Sequence, residues 1–183
     1  MLTIASAAHA IDAVSPTTDP GTGFPIWYRD SPGIQIEPCL AVGDANCLAP
    51  LGIPNPANPL AVPGNFPDEF FYYSADATVG PFTWFVALEG AFAGGPPAVN
   101  DQMVFYRLQI DGAGLQAGAT YTISHPYGES VVTANALGVV LRYREEVVPA
   151  PLAFGGVFAS PLTSLLVSTG IRAIFQPNPT RPA

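Results

Sequence analysis

Positive charge is the scarcest feature of this sequence. The 183 residues contain no lysine and six arginines, against 14 aspartates and glutamates, so the formal net charge is −8. Proteins that bind nucleic acid neutralise its phosphates with clustered Lys and Arg side chains. The composition therefore argues against a nucleic-acid partner.

Charge of either sign is also scarce. Charged residues make up 11% of the chain and hydrophobic residues 49%, whereas soluble domains carry about 25% charged residues. Disordered chains combine low hydrophobicity with high net charge. Charge-driven disorder is therefore excluded, and the length allows one domain with a short appendage.

Long uninterrupted apolar runs are missing as well. The stretch from Val147 to Ile171 is uncharged, but prolines and glycines break it at Pro149, Pro151, Gly155, Gly156 and Pro161. A segment exposed to lipid could not satisfy its backbone polar groups with those interruptions. No membrane span is predicted.

The first ten residues, MLTIASAAHA, are apolar and small. They end on Ala8-His9-Ala10, which fits the small-x-small pattern before a signal-peptidase cleavage site. The positive n-region and the usual length of a signal peptide are missing. Residues 1–10 are therefore interpreted as a residual signal peptide, and the protein is expected to be secreted or held at the cell surface.

The two cysteines agree with export. Cys39 and Cys47 enclose a turn-rich segment that can bring the two thiols together. A disulfide there would stabilise the fold by roughly 2.5 kcal/mol in the chain-entropy model. Two free buried thiols are the alternative, whereas a zinc or redox site would need C-x-x-C spacing or further ligands.

Short apolar runs separated by proline and glycine indicate strands. With 21 prolines and 18 glycines, long helices are not expected. In residues 103–111 the even-numbered positions from Val104 to Ile110 are apolar and the odd-numbered ones from Arg107 are polar, which is typical of an antiparallel sheet with one buried face. The predicted fold is an all-β antiparallel sandwich of about eight strands, at 24–30, 33–37, 70–79, 82–92, 103–111, 119–125, 129–134 and 137–146.

The domain division follows from the proline distribution. Residues 11–148 are predicted to form the sandwich module, with a long proline-rich surface loop at 49–67. Residues 149–183 are predicted to form a short helix and a tail that ends without a closing structural signal, as a truncated tail would. The helix would begin at Ser160, with Pro161 at its first position, and stop at Gly170; residues 171–175 could add an edge strand.

Catalytic motifs are sparse. His125 is the one histidine left after cleavage, no G-x-S-x-G motif occurs, and Ser124 would point to the opposite face of its strand. His125 is therefore predicted to pack in a turn. The carboxylates Glu89, Asp101 and Glu145-Glu146 could be paired for glycoside hydrolysis, but any acidic protein offers such pairs. An outward or rim position is favoured for Glu89; the alternative is an inward, hydrogen-bonded position, because Glu89 shares the parity of Phe85, Ala87 and Ala91.

Two kinds of binding residue are candidates. Asp19 and Asp101 are weak candidates for calcium ligands, since loop carboxylates and carbonyls suit that ion. Trp27, Tyr28 and Trp84 could stack on a sugar, although core packing explains such rings equally well.

Five segments together resemble a known type of module: GFPIWYRDSPGIQIEPCL (23–40), FYYSADATV (71–79), WFVALEGAFAGG (84–95), DQMVFYRLQI (101–110) and AGATYTISHPYGES (117–130). They are similar to the N-terminal module of large secreted bacterial proteins that carry immunoglobulin-like, PKD-like or calcium-repeat domains downstream. The resemblance implies an exported β-sandwich of uncharacterised role with no catalytic residues, and the Cys39–Cys47 pair fits its pattern.

The expected function is that of a secreted or cell-surface structural or adhesive module of a bacterial extracellular protein, without catalysis. Its partner would be an extracellular protein or a glycan. A carbohydrate- or calcium-binding module is the alternative, with calcium as the one cofactor considered. A hydrolase that uses paired carboxylates is the third hypothesis.

Overall fold

The computed structural model describes residues 11–40, 47, 54–162 and 176–177. Almost all of its regular structure is strand. The elements are β1 (Ile11–Val14), β2 (Tyr28–Asp30), β3 (Gln35–Ile36), β4 (Glu69–Val79), β5 (Phe82–Phe92), β6 (Gln102–Gly112), β7 (Thr120–His125), β8 (Gly128–Thr133), β9 (Val140–Val147), a 3-10 helix (Phe154–Ala159) and β10 (Gln176–Pro177).

These strands form three antiparallel sheets. The large sheet has the order β4-β5-β6-β9, and the smaller ones have the orders β1-β2-β3 and β10-β7-β8. The predicted all-β, sandwich-like fold is confirmed, and the eight strands expected from the sequence correspond to β2 to β9. Strands β1 and β10 were not predicted, because segments of four and two residues show no periodicity.

The large sheet supplies most of the core. Tyr106, Leu108 and Ile110 on β6 and Val86 and Leu88 on β5 are fully buried, because successive strand residues alternate between the two faces. The small sheets cover this face, with ring contacts between Tyr28 and Tyr72, Phe82 and Tyr121, and Trp84 and Tyr127. Each large apolar side chain buried this way stabilises the fold by about 1.5–3 kcal/mol.

A disulfide closes the cysteine loop, as expected. Cys39 and Cys47 are bonded, with their Cα atoms 4.8 Å apart. The backbone N–H of Cys39 also donates to the carbonyl of Phe71, at 2.8 Å. The disulfide loop is thereby attached to the start of β4.

The proline-rich tract is described from residue 54 onward. Asn65 organises it: the Asn65 amide donates to three backbone carbonyls and its oxygen accepts from the N–H of Asn55. These local hydrogen bonds connect residues 55–65 of the tract to one another.

The chain beyond β9 differs in part from expectation. The described helix is the 3-10 turn Phe154–Ala159, and Ser160 ends it, donating its N–H to Val157 at 2.9 Å. The predicted helix from Ser160 to Gly170 and the strand at 171–175 lie largely or wholly outside the described residues. Among the described elements, no helix is both long and apolar enough to cross a membrane.

Candidate functional site

His125 lies in a polar network between the sheets. It ends β7, and its Nε2 is 3.0 Å from the hydroxyl of Ser130 on β8. Ser130 donates to Glu145 Oε1 on β9 at 2.6 Å, and Tyr143 donates to the same oxygen at 2.8 Å. The network therefore joins the hairpin β7–β8 to the edge of the large sheet.

The direction of these hydrogen bonds determines what His125 can do. Its Nδ1 accepts from the backbone N–H of Tyr127, at 3.3 Å. The Ser130 hydroxyl gives its hydrogen to Glu145, so it must accept from His125 Nε2–H. His125 is thus a donor to Ser130, whereas a general base would have to accept the serine proton.

Burial also affects the Ser130 hydroxyl and the His125 imidazole. Ser130 is 1% exposed, which puts its oxygen out of reach of a substrate. Burial lowers the pKa of His125 below its ordinary value, although the carboxylates of Glu145 and Glu129 act in the opposite direction. The lowered pKa favours the neutral imidazole, and the network connects the hairpin to the large sheet.

Aromatic rings surround this network. Tyr127 stacks on Trp84 with the ring centroids 5.9 Å apart, and its hydroxyl is 2.8 Å from that of Tyr73. Burial raises the pKa of Tyr127 above its usual range. Two buried atoms, Trp84 Nε1 and the Tyr106 hydroxyl oxygen, have no hydrogen-bond partner in the described structure.

A second charged cluster crosses the opposite face of the large sheet. Arg107 on β6 lies 3.1 Å from Glu89 on β5, 2.9 Å from Glu146 on β9 and 3.7 Å from Glu69 on β4. The Arg107 guanidinium also sits 5.0 Å from the centre of the Phe105 ring. One guanidinium therefore lies near three carboxyl groups, one each on β4, β5 and β9.

Glu89 is the unusual member of this cluster. The sequence favoured an outward or rim position, but the Glu89 side chain has no solvent exposure. Its burial and the neighbouring Glu69 raise its pKa to about 9, against the opposing effect of Arg107. The apolar residues at Phe85, Ala87 and Ala91 on the same face were the signal that could have indicated burial.

The other carboxylates considered for hydrolysis are separated. Asp101 Oδ2 accepts from the backbone N–H of Gly94 at 2.6 Å and so closes the loop between β5 and β6. Adjacent strand residues point to opposite faces, so Glu145 belongs to the His125 network and Glu146 to the Arg107 cluster. Glu89 and Glu146 are brought together only through Arg107.

The two calcium candidates each cap a turn. Asp19 Oδ1 accepts the backbone N–H groups of Gly21 and Thr22, at 3.0 and 2.8 Å. Asp101 closes its own loop as described above. Within the described residues no three His, Cys, Asp or Glu side chains are grouped so that they could hold a metal.

The three aromatic candidates differ in exposure. Tyr28 and Trp84 are 0% and 5% exposed, so neither presents a ring face to solvent. Trp27 is half-buried, and the Arg29 guanidinium lies 5.7 Å from its ring centre. The structure does not bring these three rings onto one exposed platform.

A groove that sequence reasoning missed lies where several loops meet. Its volume is about 420 Å³, and the described residues that line it carry no charged side chain: Thr18, Pro20, Gly21, Thr22, Gly23, Val62, Val99, Asn100, Gln102, Leu152 and Phe154. Gln102 connects two sides of the groove. Its side-chain Nε2 donates to the backbone carbonyl of Thr22, and its backbone carbonyl accepts from the N–H of Leu152, both at 2.9 Å. The residues are far apart in sequence, so only their convergence reveals the groove.

The backbone of this groove is strained. Asn100 and Leu152 have positive φ angles of 65° and 63°; Asn tolerates this conformation, whereas it costs a residue such as Leu roughly 1–2 kcal/mol. Leu152 is nevertheless 48% exposed, and the neighbouring Val99 is 62% exposed, so little burial offsets the cost. Strain of this kind is concentrated at functional sites, which makes the groove the best candidate for ligand contact.

Comparison with known proteins identified no similar protein. No protein-family model, no curated protein and no solved structure matches the chain.

Proposed function

We propose that the chain is a secreted or cell-surface β-sandwich module of a bacterial extracellular protein, with a structural or adhesive role and no catalysis. The observation that carries the proposal is the hydrogen-bond direction at His125. Because His125 Nε2 donates to Ser130, which donates to Glu145, the Ser–His pair is used for packing.

Two further features support this function. The Cys39–Cys47 disulfide suits an oxidising compartment outside the cytoplasm, since disulfides rarely persist in reducing ones. The five segments between residues 23 and 130 resemble modules of large secreted proteins. An extracellular protein or a glycan is the partner expected for such a module.

A serine-directed probe tests the non-catalytic proposal. The folded protein, incubated with a fluorophosphonate, should remain unlabelled at Ser130, and hydrolysis of a p-nitrophenyl ester should not exceed that of the Ser130→Ala variant. Labelling of Ser130, or ester hydrolysis that disappears in Ser130→Ala but survives in Ser124→Ala, would refute the proposal.

A carbohydrate-binding function is the second candidate, and the groove favours it. Its uncharged lining combines Asn100 and Thr18 with the apolar Val99, Leu152 and Phe154. Neutral sugars present hydroxyl groups beside apolar C–H faces, and sites of 300–1,000 Å³ with a few placed polar groups are typical of small-ligand binding.

A glycan array with matched variants tests this candidate. Binding of a neutral oligosaccharide should be lost in Leu152→Asn, which keeps a residue tolerant of positive φ but removes the apolar contact. Leu137→Asn is the control, because Leu137 is 85% exposed in a loop outside the groove. Flat arrays with and without added calcium would exclude the candidate, and a calcium-dependent signal would point to Asp19 or Asp101.

A further inference from the structure

We infer that His125 is a pH-sensitive latch that fastens the tip of the β7–β8 hairpin to the large sheet and releases it when the imidazole is protonated. The tip is the turn His125–Gly128, in which His125 pairs with Gly128. This role goes beyond the proposed function; it shares the His125–Ser130–Glu145 contacts and adds those of Tyr127.

The first element of the latch is the hydrogen bond that His125 Nδ1 accepts. Protonation of Nδ1 would abolish this bond. His125 Nδ1 accepts from the backbone N–H of Tyr127, and it can do so only while it carries no hydrogen. Protonation would place an N–H on Nδ1, directed at the N–H of Tyr127. Two donors would then face each other, and this hydrogen bond would be lost.

The second element is the rigid attachment of the other ring nitrogen. Ser130 must accept from Nε2–H because Glu145 takes its own hydrogen at 2.6 Å. Glu145 also accepts from Tyr143, so the carboxylate is held from two sides. The imidazole therefore cannot relieve the conflict at Nδ1 by exchanging its nitrogens without breaking the bond to Ser130.

The third element is what the tip holds in place. Tyr127 is 7% exposed, its ring stacks on Trp84 of β5, and its hydroxyl meets that of Tyr73 on β4 at 2.8 Å. Loss of the Tyr127 N–H bond would loosen the one residue of the tip that reaches both strands. Acidification should therefore uncover Trp84 and separate the two tyrosine hydroxyls.

The burial of His125 and the charges around it set the pH at which the latch would open. Burial lowers the pKa of His125 below 6.5, against the effects of Glu145 and then Glu129. The folded state binds this proton more weakly than the unfolded state does, so stability is complete above pH 6.5 and falls as the pH decreases through the folded pKa. The polar and titratable groups facing His125 from the turn and the surrounding strands are Tyr127, Glu129, Ser130, Glu145 and Trp84.

NMR of the imidazole nitrogens tests the closed latch. The other histidine of the sequence is His9, so the full-length His9→Gln variant leaves His125 as the single histidine. At about pH 8 the spectrum should show hydrogen on Nε2 and none on Nδ1. The opposite tautomer, or a mixture of the two, would overturn the proposal.

A pH titration tests the opening. Trp27→Phe leaves Trp84 as the sole tryptophan, and its fluorescence can be followed with the Tyr127 amide resonance between about pH 8 and pH 5. Both should change with the midpoint of the His125 ring, below pH 6.5, and neither should change in His125→Gln. Glu145→Gln should move the midpoint lower, because Glu145 favours the protonated ring.

Two results would contradict the release of the hairpin tip on protonation of His125. His125 could titrate while the Tyr127 amide and Trp84 fluorescence stay constant, or the same changes could persist in His125→Gln. Retained dispersion of the remaining amide resonances distinguishes local release from global acid unfolding.

Discussion

Arg107 on β6 lies 3.1 Å from Oε2 of Glu89 on β5, a side chain that is completely buried. The pair lies on the face of the large sheet that points away from the main apolar core. Because the same guanidinium also contacts Glu69 and Glu146, one arginine balances an excess of negative charge. This relationship makes stability sensitive both to pH and to the loss of that arginine.

Glu89 should make the protein less stable as the pH rises. Its pKa in the fold is raised to about 9 from 4.5, so the folded state binds the proton more tightly than the unfolded state. The free energy of unfolding should therefore fall between these two pH values, with a limiting slope of about 1.4 kcal/mol per pH unit. Urea unfolding at several pH values should show this slope reduced in Glu89→Gln, and parallel curves for the two proteins would contradict it.

Removal of Arg107 should destabilise the fold strongly. Arg107→Gln removes the cation beside the buried Glu89; at pH values above about 9, where Glu89 is ionised, leaving that charge uncompensated typically costs about 3–5 kcal/mol. The cost should be smaller in the Glu89→Gln background, which a double-mutant cycle measures. Arg144→Gln is the matched control: Arg144 is 38% exposed and 3.7 Å from Glu146, so its loss should cost at most about 1 kcal/mol. Equal costs for the two arginines would contradict the prediction.

Gly90 should not tolerate a side chain. A Cβ at this position on β5 would collide with the ring of Phe70, which is itself 1% exposed. Gly90→Ala should therefore destabilise by about 1–3 kcal/mol through overpacking. Gly64→Ala, with no heavy atom within 4 Å of the added Cβ, should be close to neutral, and similar unfolding midpoints for both variants would argue against the packing of Phe70 on Gly90.

The disulfide should contribute measurable stability. Mass spectrometry of unreduced protein should find Cys39 linked to Cys47, and Cys39→Ser/Cys47→Ser should lower the unfolding free energy by roughly 2.5 kcal/mol. The expected cause is the larger conformational freedom of the unfolded chain. Alkylatable thiols at both positions in exported protein would count against it, as would unchanged stability under reducing conditions.

Much of the fold could be predicted from local pattern. The alternation from Val104 to Ile110 identified the buried face of β6, and all four apolar positions are buried. The predicted strands 70–79 and 82–92 left Gly80-Pro81 between them, and the register pairs Val79 with Phe82 across these two residues. The cysteine spacing predicted the disulfide that is present. Such features depend on residues that are close in sequence, so local conformational preference is enough to indicate them.

The candidate sites could not be predicted in the same way. His125 was expected to pack in a turn, and it does lie at one, but its bonds to Ser130 and the link to Glu145 depend on how β8 and β9 are placed. Glu89 was expected to be outward, yet Arg107 from the next strand makes its burial tolerable.

The sequence by itself determined the strand-rich class, the turns and the cysteine pairing, because side-chain alternation and backbone preference act over a few residues. The tertiary structure determined which carboxylates meet a cation, which nitrogen of His125 carries hydrogen, and where loops from four parts of the chain form a groove. Those outcomes depend on long-range packing, in which each group's environment comes from residues distant in the chain. Charged residues are scarce in this chain, and the tertiary structure decides how they are used. The few ionic groups near the sheets are held by specific partners, and the groove is lined by uncharged residues.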